Sequence, residues 1–228
     1  MLRFSTYRIT FNNTLLAVAR DKSCAQPWVK ASSLLQKMIE SEEKSKSKRA
    51  TPDRISYTLL ISSLLGADGV KLEDVLHAEE LLQHSLRMQN ERGWDCKLDT
   101  YLFATLMQAC GEVQGTMEDR DRALHVALAA MEYCKSGRFG EVNHITFASC
   151  MTAIGQLCHD ETKKTALLRS LFEICAAEGH VSNQIIMLMK TWVWKDEMPS
   201  LQAKFSRNVS YFRNPKAGQQ NRAESAHQ

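Results

Sequence analysis

A chain of 228 residues with 44% hydrophobic content, 10 Gly and 4 Pro has the composition of a folded protein, and its poverty in turn residues favours helix over a turn-rich β fold. No stretch approaches the roughly 20 apolar residues of a membrane span, so no membrane partner is expected. The net charge of +3 is unevenly spread: residues 1–60 carry 11 basic and 5 acidic groups, residues 61–190 carry 12 and 18, and residues 191–228 carry 6 and 3. Basic ends leave room for a nucleic-acid partner, although strong binders are usually more basic overall and an ordinary solvated surface would read the same way.

The first residues, MLRFSTYRITF, lack acidic groups and contain Arg, Ser and Thr. Two readings stay open: the remnant of an organelle transit peptide, or a chain that begins part-way into a longer array, since no polar end cap is visible. The phrases ITFNNTLLAVA, PDRISYTLLISSL, LDTYLFATLMQAC and VNHITFASCMTAI then recur, with helix starts at Arg8, Arg54, Thr100 and His144. The steps are 46, 46 and 44 residues. A helix start recurring at a near-constant interval predicts an all-α fold, an α-solenoid of about four helix-turn-helix units plus a C-terminal helix.

In the first unit the partner helix shows the stripe Ala31, Leu34, Leu35 and Met38. The charged insertion SEEKSKSKR follows at 41–49, read as a solvated loop or frayed helix end whose Lys44, Lys46, Lys48 and Arg49 could touch phosphates. In the second unit Asp53 is placed to cap a helix whose inward face is Tyr57, Leu60, Ile61 and Leu64. Gly66, Asp68 and Gly69 are expected to end it. A second helix over about 73–89 presents Ala78, Leu81 and Leu82, with Gly93 just past its end.

The third unit repeats the plan with Asp99 as cap, Phe103, Leu106, Met107 and Cys110 inward, and a partner helix over about 119–135. The fourth has Asn143 as cap, Phe147, Cys150, Met151 and Ile154 inward, and a partner over about 161–177 ended by Gly179. A short helix over about 181–194 reads as half a unit, with Trp192 and Trp194 as capping hydrophobics. Residues 1–194 thus form the array. Residues 195–228 form a basic, partly disordered tail, with Lys204, Arg207, Arg213, Lys216 and Arg222 interleaved with Phe205, Tyr211 and Phe212.

Seven cysteines with no CxxC pair read as reduced core residues. A zinc site from Cys150, Cys158 and His159 lacks a second ligand pair of the usual spacing. There is no phosphate-cradling Gly-rich loop, no HExxH and no GxSxG, and His77, His84, His125, His144, His159 and His180 are scattered. The expectation is therefore a binding protein rather than an enzyme, with no catalytic residues, no cofactor, no metal and no small-molecule substrate.

The signature of an aromatic on the first helix, preceded by Thr or Ser and following a final Pro-Asp or Asn, resembles the pentatricopeptide repeat. PDRISYTLLISSL and VNHITFASCMTAI are the closest matches, and AEELL at 78–82 fits the stripe of the second helices. The resemblance covers about residues 8–180, with units longer than the family's own, as in the long, degenerate-repeat type seen in algae and other non-plant eukaryotes. It implies single-stranded RNA as partner, one base per repeat, read by two or three side chains. It implies first-helix readers just after the aromatic: Asn12 or Asn13, then Thr58, Ala104 and Ala148. It implies unit-ending readers Asp53, Asp99 and Asn143. By the same likeness, Asn with Asp53 would favour uracil and Thr58 with Asp99 guanine, while Ala104 and Ala148 offer no hydrogen-bonding group. It also implies RNA processing in a mitochondrion or plastid. The alternative is a protein-binding scaffold of tetratricopeptide type, gripping a peptide or helix in its groove.

Overall fold

The computed structural model describes residues 6–21, 24, 26–45, 50–65, 69–94 and 96–193. Among them the fold is all-α, with α1 Thr6–Arg20, α2 Pro27–Ser45, α3 Arg54–Ser62, α4 Leu72–Arg92, α5 Thr100–Gly111, α6 Met117–Lys135, α7 His144–Leu157, α8 Glu161–Ala177 and α9 Asn183–Trp192. Lys46, Lys48, Arg49, Gly66, Asp68, Trp194 and the whole basic tail lie outside the described residues.

Local chemistry sets most helix starts. Asp53, Asp99, Thr116, Asn143, Asp160 and Ser182 each stand at an N-cap in extended backbone, and each side-chain oxygen accepts an N–H of the first turn. Lys71 caps α4 without such a bond, and Glu73 and Asp74 in the first turn answer the helix dipole instead. At the other end of α4, Gly93 adopts φ 62°, ψ 38°, a left-handed turn that glycine enters without a Cβ clash.

Packing follows a simple order. α1 packs on α3, α3 on α5, α5 on α7 and α7 on α9. These helices run the same way. Asp53 and Asp99, at the starts of α3 and α5, touch Arg8 and Arg54 in the first turns of α1 and α3. Gly111, ending α5, lies against Ala153 and Gln156 near the end of α7, and Gly155 lies against Trp192 at the end of α9. After α3 and α5 the chain is joined again, where the Gln114 N–H donates to Val70 O at 2.9 Å. The even-numbered helices fill between: α6 packs on α5 and α7, α8 on α7 and α9, and α4 on α5 and α6.

The inward stripes are buried as the periodicity requires. Tyr57, Phe103 and Phe147 stand four residues past their caps and are buried, together with Leu60, Ile61, Leu106, Met107, Met151 and Ile154. Truncating such a ring to Ala costs about 3–5 kcal/mol. On α6, Ala123, Ala127 and Ala130 are buried small residues that let helices approach closely. Cys96, Cys110, Cys134, Cys150, Cys158 and Cys175 are buried too. Burial pushes the thiols of Cys134, Cys150 and Cys175 up to about 12.

One expectation needs correction, and one open pair of readings narrows. α3 closes at Ser62, before the glycines expected to end it, because Ser63 to Leu65 form a turn with the Leu64 N–H donating to Ile61 O at 3.0 Å. The charged insertion, read as a solvated loop or a frayed helix end, begins as helix, in line with the second of those readings. α2 runs through Ser45, and Glu42 is buried beside Arg92 of α4, 3.6 Å from Nη1.

Candidate nucleic-acid interface

The parallel odd-numbered helices bring equivalent positions side by side. Their register is read from the contacts between them. Arg8, Asn12 and Asp53 on one side of the α1/α3 junction match Arg54, Thr58 and Asp99 at the α3/α5 junction, with the same 46-residue step. The matching places in the next two helices are Ala104 and Ala148. Asn12, which follows Phe11, is therefore the framed residue of the pair Asn12 and Asn13.

Asp53 serves two helices at once. Its Oδ1 accepts the Ser56 N–H at 3.0 Å and the Asn12 Nδ2–H at 3.1 Å. Its Oδ2 lies 3.3 Å from Arg8 Nε. The Ser56 hydroxyl in turn donates to Asn12 Oδ1 at 2.6 Å. Both halves of the Asn12 amide are thus engaged inside the protein, while Asn13 is exposed.

Asp99 repeats this chemistry. Its Oδ1 accepts the Leu102 N–H at 3.0 Å and its Oδ2 lies 2.7 Å from Arg54 Nη1. At the third junction the charges disappear. Asn143 stands in for Asp, its Oδ1 accepting from Ile145 and Thr146 N–H at 2.9 and 3.2 Å. Thr100 stands in for Arg, and its hydroxyl donates to Glu141 O at 3.4 Å.

The remaining reader positions divide. Thr58 is half-buried on α3. Ala104 and Ala148 are each only 2% exposed, inside the packing of α5 and α7 on their neighbours. Their place as base readers is corrected on this ground: a covered methyl has neither a polar atom nor a surface to offer.

A feature missed in the sequence runs beside them. Ile9, Ile55, Tyr101 and Ile145 occupy the same place in their helices and are 51%, 51%, 57% and 40% exposed. Four large apolar side chains in matching register on four successively packed helices leave a stripe of apolar surface on the edge that carries the caps. The signal was present in the residue just after each recurring helix start (Arg8, Arg54, Thr100 and His144), always Ile or Tyr yet out of phase with the buried stripe.

Among the described residues no group of three His, Cys, Asp or Glu side chains is placed to hold a metal ion, and Cys150, Cys158 and His159 do not gather into one. His159 Nε2 instead lies 3.2 Å from Arg120 Nη1. No helix of the described residues is long and apolar enough to cross a membrane. No protein-family model, no curated protein and no solved structure matches this chain.

Proposed function

We propose that this chain is an α-solenoid of pentatricopeptide type that holds single-stranded RNA along the leading helices of its units. The observation that carries the reading is the line of exposed apolar side chains, Ile9, Ile55, Tyr101 and Ile145, at one register position of four parallel helices. Every base has an apolar face, and such a row gives successive bases surfaces to stack on. Phosphates would be met by Arg and Lys, so affinity falls with salt through counterion release. The resemblance to organellar repeat proteins adds a mitochondrial or plastid setting and a role in RNA processing to the proposal.

The test is a titration of the full chain with pooled single-stranded RNA at low and at physiological salt. Binding that weakens as salt rises is expected. Absence of binding to any RNA at low salt overturns the reading.

One observation favours the protein-binding alternative. Between α6 and α8 lies an apolar cleft of about 390 Å³, lined by Leu128, Met131, Ile154, Leu167, Leu171 and Ile174. It suits an apolar anchor from a partner protein better than a nucleotide. It lies between second helices, away from the row of exposed residues on the leading ones.

A further inference from the structure

We propose that residues 199–213 of this chain form a helix that packs on α9 and covers its apolar stripe, as α6 packs on α5 and α8 on α7. Phe103, Leu106 and Cys110 stand four, seven and eleven residues past the cap of α5. Phe147, Cys150 and Ile154 hold the same places on α7, and all six are buried. Their cover comes from two sides. Phe103 and Leu106 share a gap with Leu82 of α4 and Val126 of α6. Cys150 and Ile154 share one with Met131 of α6 and Leu171 of α8. Each stripe therefore lies between the even-numbered helix before it and the one after it. The Phe103 ring stacks on Tyr133, near the end of α6, at 5.7 Å between centroids.

The same stripe recurs on α9. Ile186, Met189 and Val193 stand four, seven and eleven residues past its cap, Ser182. Of the even-numbered helices, α8 packs on α9. Met189 is buried, whereas Ile186 and Val193 are half-buried. Every residue of α9 from Ile185 to Met189 is apolar, and a helix so apolar around its circumference is one that a folded protein buries.

The chain that continues from α9 has the pattern to meet it. Residues 199–213 lie outside the described residues, and their sequence is the guide. Leu201, Phe205, Val209 and Phe212 fall within an arc of about 80° on a helix of 100° per residue, with Lys204, Arg207 and Arg213 off that arc. Pro199 suits a first helical turn, and Pro215 stands where a helix must already have ended. The link is of the right length. Residues 158–160 join α7 to α8 and residues 63–71 join α3 to α4, and the stretch 193–198 falls between these extremes. So short a tether holds the segment beside α9 at an effective concentration on the order of millimolar, ahead of a separate partner. Docked this way, Lys204, Arg207 and Arg213 form a fixed basic surface outside the even-numbered helices.

Hydrogen exchange of the full chain, followed by mass spectrometry, tests the docking. Peptides within 199–213 are expected to exchange about tenfold or more slowly than the same sequence as a synthetic peptide. Exchange at the free-peptide rate overturns the proposal. Protection that disappears on dilution, together with a falling mass in sedimentation, makes a second copy the occupant and overturns it as well.

Variants locate the contact. Phe205→Asp and Val193→Asp put a charge on either side of it, and Phe205→Asp leaves every residue of α1 to α9 unchanged. Each is expected to bring 199–213 to the free-peptide rate while α5 to α7 stay protected. Gln184→Glu, exposed on the far side of α9 from the stripe, is expected to leave the protection intact. Protection of 199–213 that survives Phe205→Asp or Val193→Asp overturns the docking on α9, as does protection lost in Gln184→Glu.

Discussion

Arg54 Nη1 lies 2.7 Å from Asp99 Oδ2, and this contact joins the first residue of α3 to the residue that caps α5. The Asp99 carboxylate therefore has two structural duties, one local and one toward the neighbouring helix α3. They differ in size. The cap is worth about 0.5–2 kcal/mol. The ion pair is half-exposed and worth about 0.2–1 kcal/mol, less at high salt.

Substitutions at Asp99 separate the two. Asp99→Asn keeps an oxygen for the Leu102 N–H and loses only the ion pair, so urea denaturation should show a loss under about 1 kcal/mol that vanishes in high salt. Asp99→Ala loses both and should cost about 2 kcal/mol, most of it insensitive to salt. Equal losses for the two variants would remove the capping argument.

Gly155 and Gly111 make a contrasting pair on adjacent helices. A Cβ at Gly155 would enter the Trp192 ring, a rigid group at the end of α9. A Cβ at Gly111 would meet the flexible end of Gln156 and otherwise lies 3.5 Å from Ala153 Cα. Gly155→Ala should destabilise by about 1–3 kcal/mol through overpacking. Gly111→Ala should be near neutral, since Gln156 can rotate away and alanine gains up to about 1 kcal/mol of helix propensity. Thermal unfolding of the two variants compares them directly, and Trp192 fluorescence should change in the first alone.

His84 imposes a pH dependence. Burial holds its pKa below the ordinary histidine value, helped by Arg87 and Arg92 and opposed by Glu43 and Glu91. Its ring meets Trp94 edge-on at 5.8 Å. The folded state keeps this histidine neutral at a pH where the unfolded chain takes a proton. The unfolded state then binds more protons, so stability present above the unfolded pKa, about 6.5, is lost as pH falls below it. The melting temperature should drop between about pH 7.5 and 5.5, and His84→Gln should reduce that drop. An unchanged slope would show that His84 is not its source.

Thiol chemistry offers a direct check of the core. Cys24 is half-buried, whereas Cys134, Cys150 and Cys175 are buried with thiols pushed up to about 12. The thiolate is the reactive form, so these three are protonated at pH 8 and shielded as well. A thiol reagent should modify Cys24 quickly in the native protein. It should reach Cys134, Cys150 and Cys175 only on addition of denaturant.

Much of the helical plan was legible because it is local. Asp53, Asp99 and Asn143 were readable as caps from residue type and position, and the structure has all three accepting first-turn N–H groups. Tyr57, Phe103 and Phe147 were readable as inward by their spacing. The end of α3 was misplaced because the turn after Ser62 forms without glycine, from backbone hydrogen bonds that no residue type announces. Glu42 was read as part of a solvated insertion because its partner Arg92 lies 50 residues away on another helix.

The surface was legible only in part. Asn12 looks like a free polar group in the sequence, and so does whatever of Asp53 its capping bond leaves over, since their other partners lie on another helix. Only the packing of α1 beside α3 joins Arg8, Asn12, Asp53 and Ser56 into one network. Ala104 and Ala148 look exposed or buried with equal ease until the neighbouring helices are in place. The same holds in reverse for Ile55 and Tyr101, whose apolar side chains suggest a core position that no neighbour provides.

The amino-acid order by itself therefore determined where helices begin and which face of each turns inward, because capping and 3.6-residue periodicity act within a turn or two. Tertiary structure alone decided which side chains stay available to a partner. That availability depends on groups some 40 residues distant in the chain, brought within hydrogen-bonding range only when one helix lies against the next.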